Sequence, residues 1–250
     1  MLSEAILHEH LQTPFKFFTS VDSSNDIAQE WLRAGADALS IVIADEQVKG
    51  RGRRGRIWYT PPQVALAVSI ILKPTSTFAA RASMVGALAV YDLCQSLHID
   101  DVGIKWPNDV QVSGKKISGI LPEAIWQDDT LVGVVLGIGV NVRNELGDEL
   151  LAIATTLQQE TTEPLHRAAL IGFLMQRIRY WSTLIDKDDI HLAWKARLTT
   201  IGQQVSVTGH QLHIVGQAVD IDPDGALLIK TADGSIQRVL AGEVSLRPQP

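Results

Sequence analysis

The chain has 250 residues, 46% of them apolar and 20% charged, with 28 acidic side chains against 22 basic ones and a net charge of -6. That composition supplies a full hydrophobic core for one large domain, or for one domain with a small appendix, and a pI near 5.6 argues against the broad basic surface of a nucleic-acid binder. No apolar run reaches the roughly 20 residues a bilayer requires and no basic n-region opens the chain. The single cysteine, Cys94, rules out an intramolecular disulfide and fits a reducing compartment, so a cytoplasmic protein without a membrane partner is expected.

Phe15-Lys16-Phe17-Phe18 reads as a first strand. The cluster Val21-Asp22-Ser23-Ser24-Asn25-Asp26 follows, then Ile27, Ala28, Trp31 and Leu32 at helical spacing, with Gly35 as the stop. A helix N-cap explains some of these polar residues. The run is longer than a cap needs, and its hydroxyls and amide could equally bind a polar ligand at the helix start. Ile41–Glu46 is the second strand.

That strand leads from Gln47 into Gly50-Arg51-Gly52-Arg53-Arg54-Gly55-Arg56 and Trp58, three glycines among four arginines. Glycine lets backbone amides approach a ligand closely, and the guanidinium fork matches carboxylate and phosphate oxygens. The pattern suits a loop that closes over an anion. A solvated basic loop is the plainer reading, and a Walker phosphate loop is excluded because no Gly-Lys-Ser/Thr ending is present.

Val64–Leu72 reads as a strand buried on both faces and stopped by Pro74. Ala79–Leu97 reads as a long helix, on which Cys94 belongs to the core. Val102–Val110 reads as a strand broken by Pro107, which turns Asn108 and Asp109 away from ordinary pairing. Gly114–Leu121 returns as a strand with Lys116 at its mouth, a hairpin's distance from Asp109, so that the two can share a pocket wall. Leu131–Val142 is a glycine-interrupted strand ending at Asn141. Thr155-Thr156-Leu157 opens a linker, and helices are expected over Pro164–Leu184 and Asp189–Leu198.

Beyond Ile201 the pattern changes to short strands punctuated by Gly209, Asp222-Pro223-Asp224-Gly225 and Asp233-Gly234. The strands expected are Val205–Val207, Leu212–Val215, Gln217–Ile221, Ala226–Ile229 and Gln237–Leu240, together a small β-barrel. The histidines are scattered without ligand spacing, so no structural zinc is expected.

Asp22-Ser23-Ser24-Asn25, the glycine–arginine loop, Lys105-Trp106-Pro107-Asn108-Asp109, Lys116-Ile117-Ser118-Gly119-Ile120-Leu121, Gly137-Ile138-Gly139-Val140-Asn141 and Gly242-Glu243-Val244-Ser245-Leu246 occur in one order. This arrangement resembles the biotin protein ligases, the biotin–[acetyl-CoA-carboxylase] ligases, from about residue 15 to the C-terminus. The resemblance implies an α+β fold: a mixed-sheet catalytic domain of class II aminoacyl-tRNA synthetase-like type over 1–203, with helices packed on it, and an SH3-like barrel over 204–250. It implies an enzyme that joins biotin and ATP as biotinyl-5′-AMP and transfers biotin to a lysine of the biotin carboxyl carrier protein of acetyl-CoA carboxylase, with Mg²⁺ accompanying the nucleotide.

By motif position, Ser23, Ser24, Asn25, Gln47, Arg51, Gly52, Arg53 and Lys116 would contact biotin, and Arg53, Trp58, Asn108, Asp109, Lys116 and Asn141 the nucleotide. Lys116 and Arg53 would be catalytic, Asp109 would face the metal, and Trp58 and Trp106 look like pocket walls. Ser24 departs from the threonine of many members but keeps the hydroxyl. Ala154 stands where some members place an aromatic against adenine, which leaves the adenine contact open. About fourteen residues precede the first strand, so no DNA-binding domain and no repressor role are expected, and the resemblance is compatible with a homodimer. A lipoate–protein ligase and a non-catalytic biotin or nucleotide sensor are the alternatives.

Overall fold

The structure is a computed structural model and describes residues 1–209, 212–240 and 243–246. In chain order it forms α1 (Glu4–His10), β1 (Phe15–Phe18), α2 (Ser24–Arg33), β2 (Ile41–Ala44), β3 (Ala65–Leu72), α3 (Ala82–Ser96), β4 (Val102–Lys105), β5 (Asp109–Val112), β6 (Lys115–Gln127), β7 (Thr130–Asn141), α4 (Asp148–Leu151), α5 (Leu157–Glu160), α6 (Arg167–Ser182) and α7 (Asp188–Lys195). The strands build one seven-stranded mixed sheet in the order β1-β2-β3-β7-β6-β5-β4, with β1 and β2 parallel and the remaining neighbours antiparallel.

Strand alternation assigns the two faces of this sheet different work. On one face Leu66, Val68, Ile70 and Leu72 of β3 and Val134, Leu136, Ile138 and Val140 of β7 join a continuous core with Met84, Leu88 and Leu93 of α3 and Ile171, Leu174 and Ile178 of α6. On the other, α2 packs Ala28 and Leu32 against Val42, Ile71 and Val135 in a smaller cluster. Beyond that cluster the second face carries Ala67, Ser69, Gly137 and Gly139, paired across β3 and β7 as Ser69 with Gly137 and Ala67 with Gly139. Small side chains there leave a hollow.

Before residue 204, three expectations from the sequence change. Helix α1, with Ser3 accepting from the amide of Ile6, was not anticipated in the N-terminal stretch. The expected linker at Thr155-Thr156-Leu157 instead begins α5, held by a capping box between Thr156 and Gln159. The strand expected to end at Leu121 runs on to Gln127, because β7 continues alongside it.

The C-terminal part forms β8 (Gln204–Gly209), β9 (Leu212–Ile221), β10 (Leu227–Lys230), β11 (Ile236–Val239) and β12 (Glu243–Leu246), an SH3-like antiparallel sheet in the order β11-β10-β9-β8-β12. Among the described residues the edge strands β11 and β12 do not pair with each other, so closure of the SH3-like sheet into a barrel is not seen within them. The two strands expected on either side of Gly216 are one continuous strand. Glu243–Leu246 pairs with β8 as the closing strand, and Gly242 lies outside the described residues. The sheet is tied to the larger one at the 222–225 turn, where Arg81 donates to the Pro223 carbonyl at 3.1 Å and the Trp106 indole to the Gly225 carbonyl at 2.8 Å.

Candidate active site

The hollow on the α2 face is a cavity of about 310 Å³. Its floor is set by two glycines. A Cβ on Gly137 would overlap the Asn25 amide, and one on Gly139 would overlap the Trp58 indole, so both side chains lie directly on the backbone of β7.

At one end stand Ser23, Ser24 and Asn25, all buried. Ser23 occupies the N-cap position of α2 yet makes no side-chain capping bond. The Ser24 amide donates instead to Gln47 Oε1 at 2.8 Å, and the Ser24 hydroxyl donates to the same oxygen at 2.9 Å. Gln47 in turn donates to Thr60 Oγ1 at 3.2 Å. Ser69 Oγ lies 2.8 Å from Ser24 Oγ and 2.5 Å from Asn25 Oδ1, so one hydroxyl proton serves two acceptors. The helix start is thus held by Gln47 and Ser69, and the capping explanation for the polar cluster does not account for Ser23.

The glycine–arginine stretch folds over the hollow as a small hairpin. Trp58 donates its amide to the Gly50 carbonyl at 2.8 Å and Gly52 to the Arg56 carbonyl at 2.7 Å, around a turn at Arg53–Gly55. Its arginines have different partners. Arg51 is held by Asp26 at 2.6 Å and Glu123 at 3.2 Å, and these hydrogen bonds, the Asp26 one foremost, raise its pKa. Arg53 donates to Asn108 Oδ1 at 3.1 Å, and burial, with Arg54 adding to it, pushes its pKa down. Arg54 donates to the Thr208 carbonyl of β8 at 2.7 Å, so the loop also touches the C-terminal sheet.

At the opposite end the β4–β5 hairpin turns through Trp106-Pro107-Asn108, with a cis Trp106–Pro107 peptide. Asn108 Nδ2 is fixed by the Ile120 carbonyl at 2.8 Å. Asp109 and Lys116 share the wall as expected and there form an ion pair, Nζ to Oδ1 2.7 Å, and Lys116 also lies 5.5 Å from the centre of the Trp58 ring. Asn141 is buried and donates to the Thr155 carbonyl at 3.1 Å. Every residue expected to contact biotin or the nucleotide, with Trp106 and Ala154, lines this cavity.

Sequence reasoning passed over part of the lining. Lys105 faces Asp109 in the hairpin register, and burial foremost, with Lys116 and Arg56 nearby and Asp109 opposing, lowers its pKa. Lys105 opens the Lys-Trp-Pro-Asn-Asp string, which assigned it no role of its own. Asn144, Leu146, Leu150 and Ile153 also form wall. The four- and three-residue steps from Leu146 to Leu150 to Ile153 are the available signal in a stretch for which the sequence gives no element.

Six cationic side chains (Arg51, Arg53, Arg54, Arg56, Lys105 and Lys116) and a single carboxylate, Asp109, line the cavity of a chain whose net charge is -6. Among the described residues no group of three His, Cys, Asp or Glu side chains gathers as a metal centre, and no helix is long and apolar enough to cross a membrane. Burial pushes the Cys94 thiol up to about 12, which leaves it unreactive.

A mixed sheet with a cationic hairpin over a glycine-floored hollow, polar at its Ser23–Asn25 end and largely apolar along its walls, fits the class of proteins that enclose a small molecule together with an anion. The chain belongs to the biotin/lipoate A/B protein ligase family, which it matches over residues 17–141, and it matches the biotin protein ligase C terminal domain over residues 200–247. It is similar to the biotin–[acetyl-CoA-carboxylase] ligase of Paracoccus denitrificans, 32% identical over 234 residues covering 89% of this chain and 96% of that one. The bifunctional ligase/repressor BirA of Bacillus spizizenii is 31% identical over 235 residues, 90% of this chain and 72% of that protein. In structure it is similar to the biotin protein ligase from Aquifex aeolicus in complex with biotin and ATP, with a TM-score of 0.79, 28% identity and coverage of 94% of this chain and 99% of that one.

Proposed function

We propose that this chain is a biotin–protein ligase serving the biotin carboxyl carrier protein of acetyl-CoA carboxylase. A biotin carboxylate oxygen attacks the α-phosphorus of ATP, giving biotinyl-5′-AMP and pyrophosphate. The ε-amine of the carrier lysine then attacks the acyl carbon, and AMP leaves as the amide forms and the amine loses a proton. The observation that carries this reading is the excess of cations in the cavity. The first step brings two anions together, and preorganised positive charge in a site shielded from water is what lowers such a barrier.

The roles follow from position. Ser23, Ser24, Asn25 and Gln47 bind the uncharged ring end of biotin. Lys116, held beside Asp109, faces the meeting of carboxylate and α-phosphate and stabilises the charge that builds there. Arg51, Gly52 and Arg53 belong to the hairpin that covers biotin and the reacting phosphates, and the cover keeps water from the mixed anhydride. Asn108, Asp109, Trp58 and Asn141 serve the nucleotide. Magnesium usually binds through one or two carboxylates plus substrate phosphates, so an ion carried by ATP fits Asp109 as its single protein carboxylate and would neutralise phosphate charge there.

The catalytic part is assigned to 1–203 and the SH3-like part to 204–250, a division supported by the start of β8 at Gln204. The reading places the enzyme in the cytoplasm, assigns no DNA contact and is compatible with a homodimer.

The test is incubation with labelled biotin, ATP, Mg²⁺ and a carboxyl carrier domain. The expected result is one biotinyl group per carrier, with biotin, and not lipoate, supporting ATP–pyrophosphate exchange. Unlabelled carrier with no exchange would refute the assignment, and exchange driven by lipoate would move the chain to the family's other substrate.

A further inference from the structure

Glu123 lies on β6, opposite Val135 of β7, and its side chain is 29% exposed. Alternation along the strand puts it on the same face as Gly119 and Leu121, which line the cavity. Glu123 itself is outside that lining, yet it gathers three donors. Its Oε2 accepts from Asn25 Nδ2 at 2.6 Å, from Gln29 Nε2 at 3.0 Å and from Arg51 Nη2 at 3.2 Å.

These contacts join two parts of the site that the sequence separates. An ionised carboxylate only accepts hydrogen bonds, so it fixes which way the Asn25 amide is turned, with Nδ2 toward Glu123 and Oδ1 toward Ser69. The same carboxylate holds Arg51, the first arginine of the covering hairpin. Asp26 holds Arg51 as well, through Nη1, but makes no bond to Asn25 among the described residues. Among the described residues Glu123 is therefore the acid that bonds both the polar end of the cavity and its cover.

We infer that Glu123 is a positioning residue of the ligase: through Asn25 it orients the amide that meets biotin, and through Arg51 it holds the hairpin closed over biotinyl-AMP. The inference rests on the function proposed above. It assigns Glu123 no contact with substrate, so its removal should change biotin recognition and intermediate retention together while leaving the nucleotide end alone.

The test compares wild type with Glu123→Gln and Asp26→Asn. Gln keeps the shape but replaces one acceptor oxygen by a donor and removes the charge that Arg51 pairs with. Hydrogen bonds to charged groups are strong enough that losing one changes affinity by roughly tenfold or more. For E123Q, KM for biotin should rise about tenfold and biotinyl-AMP should leave the enzyme about tenfold faster, with KM for ATP within about twofold of wild type. For D26N only the release rate should rise, since Asn25 keeps its partner. An E123Q enzyme with wild-type biotin KM and wild-type retention would overturn the inference, as would a D26N enzyme that reproduced both E123Q effects. If E123Q does not fold, Glu123→Asp carries the test: it keeps the charge but draws the carboxylate back by one methylene from Asn25 and Arg51, so unchanged biotin KM and retention in that variant would also overturn it. Wild-type enzyme runs beside every variant: no biotin-dependent exchange by wild type would sink the ligase reading itself, a different outcome from a silent substitution at Glu123.

Discussion

The two faces of β3 and β7 are made from the same residues in alternation, yet they do opposite things. One face is Leu66, Val68, Ile70, Val134, Leu136 and Ile138, all fully buried against α3 and α6. The other is Ala67, Ser69, Gly137 and Gly139, which give up side-chain packing so that Asn25 and Trp58 can lie on bare backbone. A cavity inside a well-packed fold is obtained by subtraction, and the stabilising burial that the second face forgoes has to come from the first. Substitutions on the two faces should therefore separate activity from stability.

The largest effect should come from the cation that the hollow exists to present. Lys116→Ala is expected to lower biotin-dependent ATP–pyrophosphate exchange by about 10²–10³, the usual cost of removing one preorganised charge-stabilising group, while its melting temperature stays near that of wild type. Exchange at the wild-type rate would remove Lys116 from its assigned role. Next is Gly139→Val, whose branched side chain must displace the Trp58 ring. Exchange should fall about 100-fold through misplacement of the cover, with the fold intact by circular dichroism. Leu136→Ala, three residues away on the opposite face, should do the reverse. It should cost about 2–5 kcal/mol in denaturant unfolding while activity per folded molecule is retained. If Leu136→Ala and Gly139→Val shifted stability and activity alike, the division of labour between the faces would be wrong.

A smaller, kinetic effect is expected at Arg53, which is half enclosed and tied to Asn108. Arg53→Ala should leave exchange within about tenfold of wild type but release biotinyl-AMP into solution, because the cover no longer bonds to the far wall. Filtration of enzyme loaded with labelled intermediate measures this directly. Retention equal to wild type would make the hairpin's closure independent of Arg53.

Much of this was legible from the chain alone. Long apolar runs marked β3 and β7, the glycine–arginine stretch marked the cover, and the hairpin spacing of Asp109 and Lys116 put them on one wall, where they form an ion pair. Other features were hidden for definable reasons. A strand buried on both faces shows no alternation of apolar and polar residues, so the hollow side of β3 looked like core until its small residues were set against Gly137 and Gly139. Leu146, Leu150 and Ile153 sit among Gly147, Asp148 and Glu149, a polar setting that hides their helical spacing. Glu123 escaped because the run ending at Leu121 gave no sign that the strand continued, and its continuation depends on pairing with β7, a tertiary fact. Ser23, by contrast, was legible as a cap and turned out not to act as one.

The smallest effect should come from an enclosed charge with no ligand anion near it. Lys105 has its pKa lowered below 10.5, by burial first and by the neighbouring Lys116 and Arg56 after it, with Asp109 working the other way. Between the lowered folded value and the unfolded one, the unfolded chain binds more protons. Stability should therefore rise with pH across that window as the folded protein sheds a charge it holds at a cost. A bound triphosphate supplies negative charge and should bring the Lys105 pKa back up, so nucleotide binding at alkaline pH should take up protons. Calorimetry of ATP binding in buffers of different ionisation enthalpy measures that uptake, and Lys105→Met should abolish it while leaving the signal at neutral pH unchanged. Uptake undiminished in the variant would show that another group in the cavity, and not Lys105, bears the charge displaced from water.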